Sequence, residues 1–126
     1  MRAADTNVLV RLIVRDDPAQ VRVAEAFVRH GAWVSHLALA ECVWVLSSVY
    51  GFAAPRLATV VEVFLAHKNL TLQDPDVVTA ALEHFRKRPS LGFSDCLMLE
   101  VARKAGHLPF GTFDRTLGKL DGAEAL

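Results

Sequence analysis

The sequence predicts an α/β fold in which helices flank a central, mainly parallel sheet of four or five short strands. Short apolar runs alternate along the chain with segments of helical periodicity, and Asp-Pro, Ser and Gly mark the boundaries between them. A chain of 126 residues, of which 52% are hydrophobic, can build one ordinary core and is too apolar for disorder. We therefore expect a single domain over residues 1–126.

Helix boundary signals define the elements of the first half. Asp17 precedes Pro18, which is typical of an N-cap followed by the first helical residue, and Gly31 ends that helix. Ser35 caps a long helix, and Pro55 begins the next one. The predicted elements are strand 1–4, an apolar segment 8–14, helix 17–30, strand 32–34, helix 35–49 and helix 55–67.

The second half repeats the alternation of strand and helix. Asp74 and Pro75 carry the same cap signal, and Gly106 ends the helix before the last strand. Only a trace of a fifth strand is visible at the C-terminus. The predicted elements are strand 70–72, helix 74–88, helix 94–105, strand 109–113, a short helix 115–120 and the possible strand 123–126.

The overall charge gives no general case for a nucleic-acid partner, because 14 basic residues balance 14 acidic ones. No apolar run is long enough to span a membrane, and Asp5 and Asn7 interrupt the opening run, so no signal peptide is expected. Cys42 and Cys96 have no zinc-ligand spacing and are interpreted as reduced core residues, which predicts a cytoplasmic protein.

Glu41 is the most informative acidic residue in the sequence. It lies inside an apolar helical segment whose nearest helical neighbours include Leu37, Trp44 and Val45. A carboxylate buried there would have to be paired, metal-bound or protonated. We expect either a salt bridge to an arginine of another element or a catalytic or metal-binding role.

Three further acids lie where elements begin or end. Asp5 follows the first strand and could close it in an Asx turn. Asp95 lies in the first turn of a helix, where acids are common because of the helix dipole. Asp114 follows the strand 109–113 and could cap the next helix. Because ligands bind beyond the carboxyl ends of parallel strands, Asp5 and Asp114 are both expected at that edge.

Taken together, these residues resemble the PIN-domain family, and most closely its VapC-type toxin ribonucleases. The resemblance rests on ADTNVLVR at residues 4–11, Glu41 after a strand and cap, SDCL at 94–97 and TFD at 112–114. It covers the whole chain. It implies a metal-dependent endoribonuclease, the toxin of a type II toxin–antitoxin pair, whose catalytic and metal-binding residues are Asp5, Glu41, Asp95 and Asp114.

Clustered carboxylates suit the cleavage of RNA phosphodiesters. They repel one another when empty, and an all-oxygen ligand set favours Mg²⁺ or Mn²⁺ over zinc. One or two such ions can activate a water and offset charge on the phosphate. The resemblance implies Asp5, Asp95 and Asp114 as ligands, with Glu41 holding or deprotonating the water.

Other polar residues near these acids are candidates for supporting roles. Asn7 and Thr112 could orient the carboxylates from a second layer, and Ser94 could do the same or serve as a helix N-cap. Arg115, beside Asp114, is the best candidate for an RNA phosphate contact. The basic residues between 86 and 119 could equally be surface charges that aid solubility.

Two other kinds of function match parts of the sequence. A receiver-like signalling domain or a small aspartate phosphatase would carry a second acid soon after Asp5, where this chain has Thr6 and Asn7. A non-catalytic PIN-like module that binds RNA or protein would be expected to have lost some of the four acids. Both alternatives fit the sequence less well than a nuclease.

The apolar composition also predicts partners. With mean hydropathy of +0.28, a domain of this size should leave apolar side chains at its surface. We expect a homodimer through residues 44–66, which include Tyr50 and Phe52 in a turn and Val63 off the apolar stripe of its helix. The resemblance implies a cognate antitoxin that occupies the acidic cleft, with an Arg or Lys paired to Asp5 or Asp95.

Overall fold

The computed structural model describes all residues from 1 to 126 and contains two compact units, Met1–Pro75 and Asp76–Leu126. The first unit contains the predicted strands and helices, and the apolar segment 8–14 lies mostly in a further helix, Thr6–Ile13, that was not predicted. Its elements are β1 (Arg2–Ala3), α1 (Thr6–Ile13), α2 (Pro18–Val28), β2 (Ala32–Val34), α3 (His36–Ser48), α4 (Ala54–Ala66) and β3 (Leu70–Leu72).

The second unit continues this order with two helices and two strands. Its last helix is a single 3-10 turn at Leu117–Lys119, shorter than the predicted helix over 115–120. The other elements are α5 (Pro75–Lys87), which begins at the last residue of the first unit, α6 (Phe93–Ala105), β4 (Phe110–Thr112) and β5 (Ala123–Ala125).

All strand pairs are parallel, which confirms the predicted α/β class. In the first unit the strand order is β1-β2-β3, with Arg2 opposite Ala32 and Ala32 opposite Leu70. In the second unit β4 pairs with β5, with Phe110 opposite Ala123. The fifth strand is therefore present, and the strands form a three-stranded and a two-stranded sheet where one central sheet was expected.

The helix boundaries largely follow the cap signals of the sequence. The Asp17 side chain accepts a hydrogen bond from the Gln20 amide (3.1 Å), and Ser35 Oγ accepts one from the Ala38 amide (3.0 Å). Gly106 ends α6 in the left-handed conformation, with φ of 84°. The N-cap of α6 is Gly92, so the alternative role of Ser94 as N-cap is wrong: Ser94 lies within the first turn.

The apolar faces predicted from helical periodicity form much of the core. In the first unit α1 packs against α2 and α3. In the second unit Phe85 of α5 meets Phe93 of α6 edge to face, with ring centroids 6.0 Å apart. All five residues of the predicted α5 face are buried, namely Val77, Val78, Ala81, Leu82 and Phe85. No helix combines the length and the apolar character that a membrane span requires.

The turn after α3 differs from the expected dimer surface. Phe52 is buried within the first unit, and the Arg56 guanidinium stacks 3.7 Å from its ring centroid. Tyr50 is half-buried, and its hydroxyl accepts a hydrogen bond from Arg11 (2.6 Å). The expectation that Phe52 offers a surface contact is therefore wrong, because its ring completes the core beside α4. The exposed large apolar side chains of residues 44–66 are Trp44, Val49 and Val63.

Candidate functional site

Asp5 lies just beyond the carboxyl end of β1 and is the N-cap of α1. Its Oδ1 accepts a hydrogen bond from the Thr6 amide at 2.7 Å. The preceding Ala4 amide bonds to the Trp33 carbonyl of β2 (2.9 Å), which fixes the strand end that carries the acid. Asp5 is exposed, and the cap uses Oδ1, so Oδ2 can take a further ligand.

Glu41 was expected to be a buried carboxylate, and this expectation is wrong because its side chain is exposed. The apolar neighbours on its helical face are exposed as well, Leu37 at 71% and Trp44 at 67%. Burial therefore does not force this carboxylate to be paired or protonated. The core-facing side of α3 is formed by Ala38, Leu39, Cys42, Val43 and Leu46.

Thr6 links these two acids and was not identified from the sequence. Its hydroxyl donates to Glu41 Oε2 at 3.2 Å, while its amide donates to Asp5 Oδ1. Thr6 is only 9% exposed, so both bonds are made by a buried residue. The one signal available in the sequence was its position directly after Asp5, at the first residue of a helix.

Asp95 lies in the first turn of α6, as predicted, and is half-buried. A Cβ added at Gly92 would lie 3.3 Å from Asp95 Oδ2. A side chain at position 92 would therefore press on this carboxylate and shift it by a few tenths of an ångström. Ser94 is exposed beside it.

Asp114 follows β4 and has the capping role that the sequence left open. Its Oδ1 accepts hydrogen bonds from the Thr116 and Leu117 amides, both at 2.9 Å. Thr112 Oγ1 accepts from the Asp114 amide at 3.1 Å, so Thr112 contacts the backbone of this acid. Asp114 and Arg115 are both exposed.

The four acids are divided between the units, with Asp5 and Glu41 in the first and Asp95 and Asp114 in the second. No group of three or more His, Cys, Asp or Glu side chains is arranged to hold a metal ion. The donor chemistry nevertheless fits Mg²⁺ or Mn²⁺, since every candidate ligand is a carboxylate. The convergence of all four carboxylates stays a prediction.

Asn7 lies two residues after Asp5, in the first turn of α1, and is exposed. It lines a groove of about 580 Å³ between α1 and α2. Apolar and basic side chains line the same groove, among them Arg11, Val23 and Phe27. One residue that lines the groove, Asn7, is therefore only two positions from the candidate ligand Asp5 in the sequence.

Glu100 is a buried carboxylate that was not identified from the sequence. It is 7% exposed and accepts hydrogen bonds from His84 Nε2 (3.0 Å) and Arg103 Nε (3.2 Å). The helical repeat contained a signal for this burial. Phe93, Cys96, Leu97 and Glu100 follow the i, i+3, i+4, i+7 pattern of a buried face.

Two cysteines directly follow candidate ligands, Cys42 after Glu41 and Cys96 after Asp95. Both are free and fully buried, which confirms their interpretation as core residues. Burial raises the pKa of Cys42 to about 12. Burial, together with the Asp95 charge, raises the pKa of Cys96 to about 11. Protonated, buried thiols are poor metal ligands, so the acids remain the only candidates here.

Comparison with protein families places the chain in a known group. The model of the PIN domain matches residues 3–123, a span that includes all four acids. Comparisons with curated proteins and with solved structures gave no significant match.

Proposed function

The chain belongs to the PIN domain family, whose members are generally nucleases that bind divalent metals, and we propose that it is a metal-dependent endoribonuclease. The observation that carries the proposal is the family match over residues 3–123, a span that contains the four acids singled out from the sequence. We further propose that it is the toxin of a type II toxin–antitoxin system, acting in the cytoplasm, where its two thiols would stay reduced.

The metal ligands in this proposal are Asp5, Asp95 and Asp114, and Glu41 would hold or deprotonate a water. When bound, Mg²⁺ or Mn²⁺ would supply positive charge that offsets the charge on the phosphate oxygens and lowers the pKa of water. Three of these acids are exposed and Asp95 is half-buried, so an RNA backbone can reach them. Carboxylates buried in the core would be inaccessible to an RNA backbone.

The protein's own contribution is to orient the carboxylates before substrate arrives. Thr6 holds Asp5 and Glu41 through its amide and its hydroxyl. The turn at 114–117 holds Oδ1 of Asp114 through two amides. Carboxylates fixed in this way lose little entropy when a ligand binds, which favours a defined geometry at the phosphate.

The position of Arg115 beside Asp114 supports it as the phosphate contact. Among the basic residues of the second unit, Arg103 is engaged with Glu100 and Asp121, and Lys104 with Asp76. Arg115 is exposed and adjoins Asp114. A guanidinium there could bind a phosphate oxygen next to the scissile bond.

Two protein partners form part of the proposal. The groove between α1 and α2 is mostly apolar and begins at Asn7, so an antitoxin peptide lying in it could place an Arg or Lys at Asp5. A second copy of the chain would cover exposed apolar side chains of residues 44–66, chiefly Trp44. The two surfaces share no residue.

The direct test is RNA cleavage with and without Mg²⁺ or Mn²⁺, comparing wild type with Asp5→Asn. The amide keeps an oxygen that can cap α1, so the variant should fold while cleavage is abolished. Asp17→Asn is the matched control, because Asp17 caps α2 in the same way and is not a candidate ligand. Cleavage by Asp5→Asn at the wild-type rate would exclude Asp5 as a ligand.

A further inference from the structure

A chain of polar contacts connects α6 to the turn that precedes β5. It starts at the buried Glu100, which accepts from Arg103 Nε at 3.2 Å. The same arginine reaches Asp121, with Nη1 3.5 Å from Oδ2 and Nη2 donating to the carbonyl oxygen. His84 of α5 donates to Oε2 of the Glu100 carboxylate, which Arg103 Nε also contacts at 3.2 Å. A buried acid therefore fixes an arginine whose remaining nitrogens hold the turn.

Gly122 allows the guanidinium to lie against this turn. A Cβ at position 122 would be 2.9 Å from Nη2 of Arg103 and 3.1 Å from Nη1, so any side chain there would displace the guanidinium from its present position. Its φ of +87° also favours glycine. The Gly122 carbonyl accepts from the Phe110 amide at 2.8 Å, so the clamped turn is bonded directly to the start of β4.

The candidate ligand Asp114 lies at the other end of β4. The Thr112 carbonyl accepts from the Leu126 amide (2.8 Å), which ties the end of β4 to the residue after β5. Thr112 Oγ1 then accepts from the Asp114 amide. Arg103 is thus connected to Asp114 through the paired strands β4 and β5 and through the hydrogen bond that Thr112 Oγ1 accepts from the Asp114 amide.

We infer that Arg103, held by the buried Glu100, is a positioning residue for Asp114: it fixes the β4–β5 pair that carries this carboxylate. The inference rests on the proposed function, since the position of Asp114 matters there as a metal ligand. Arginine suits the task because its fork bonds Glu100 and Asp121 simultaneously, which a lysine ammonium cannot do with the same geometry. Partners that orient ligating groups typically change metal affinity by about 10–100-fold.

The first measurement uses the metal-free protein. Hydrogen exchange of the Leu117 amide, which donates to Asp114 Oδ1, should be at least about tenfold faster in Arg103→Lys and in Arg103→Met. Arg103→Lys keeps a positive charge beside the buried Glu100, so it should fold even if Arg103→Met does not. Arg15→Met is the matched control, since it removes the exposed pair with Glu25 in the first unit. Unchanged exchange at Leu117 in Arg103→Lys would overturn the inference.

The second measurement is Mn²⁺ affinity, read from the magnetic resonance signal of free Mn²⁺. Arg103→Lys should weaken binding by about tenfold or more, and should add nothing in an Asp114→Asn background. The positioning role would be overturned if Arg103→Lys bound Mn²⁺ with wild-type affinity, or if it weakened Mn²⁺ binding equally in the Asp114→Asn background. Neither result would contradict the metal site itself. Absence of Mn²⁺ binding in wild type, or unchanged binding in Asp114→Asn, would instead contradict the metal site, and Leu117 exchange would still decide the role of Arg103.

Discussion

The hydroxyl of Thr6 donates a hydrogen bond of 3.2 Å to Oε2 of Glu41, which joins the first turn of α1 to the middle of α3. These residues are 35 positions apart in the sequence. Because the Thr6 amide also holds Asp5, one small buried residue orients two acids that come from different elements. The geometry of this part of the site therefore depends on a residue that is not itself a candidate ligand.

Thr6→Val tests this dependence, because valine keeps the shape of the side chain and removes the hydroxyl. We expect Mn²⁺ affinity to fall about tenfold. The free energy of unfolding should fall by only about 1 kcal/mol, the usual value of one hydrogen bond. Thr6→Ser should restore affinity, and Thr59→Val, which removes an exposed hydroxyl bonded to the Pro55 carbonyl, is the matched control. Wild-type affinity in Thr6→Val would show that the bond to Glu41 is incidental.

Metal binding should stabilise the folded protein, because a ligand that binds only the folded state stabilises it by mass action. The gain is about 2.7 kcal/mol when the free metal is at a hundredfold excess over Kd. Mg²⁺ or Mn²⁺ should therefore raise the melting temperature of wild type, and a chelator should reverse the change. Asp5→Asn should lose the shift and Asp17→Asn should keep it. A melting temperature that does not respond to millimolar metal would argue against the site.

Glu41 and Glu100 should differ sharply in their contribution to stability. Glu41→Gln changes an exposed residue, so the free energy of unfolding should change by less than about 0.5 kcal/mol. Glu100→Gln weakens charge-assisted bonds to His84 and Arg103 at a buried position and should cost about 1.5–3 kcal/mol. Urea denaturation of both variants gives the comparison. The reverse ranking would contradict the burial assigned to these two acids.

The proposed homodimer predicts a specific effect of Trp44, the largest exposed side chain in residues 44–66. Light scattering should give twice the chain mass for wild type at micromolar concentration, and Trp44→Lys should shift the protein to monomer. Val23→Lys places the same charge on an equally exposed apolar residue of α2, in the groove, and should leave the dimer intact. A wild-type monomer would exclude the dimer without affecting the nuclease proposal.

Local signals in the sequence were sufficient for most of the elements and for part of the site. Asp17, Ser35 and Gly106 act within their own turn, so their capping roles can be deduced from neighbouring residues. The periodicity of α5 likewise identified its buried face. Asp5 and Asp114 were placed correctly at strand ends, because strand runs and turn residues are local as well.

Burial of the acids could not be deduced in the same way. The segment around Glu41 is apolar on all sides, so its periodicity indicates no particular buried face, and the outcome depends on which elements cover α3. Glu100 looked like one charge among several, although its spacing from Phe93 and Cys96 placed it on the buried face. The bond from Thr6 to Glu41 is a long-range contact and leaves no local signal at all.

The aromatic residues that dominate near-ultraviolet optical signals all belong to one unit. Trp33, Trp44 and the single tyrosine, Tyr50, lie within Met1–Pro75. Intrinsic fluorescence therefore originates in residues 1–75, whereas far-ultraviolet circular dichroism follows the helices of both units. A difference between the two denaturation curves would measure how far one unit can unfold while the other keeps its structure.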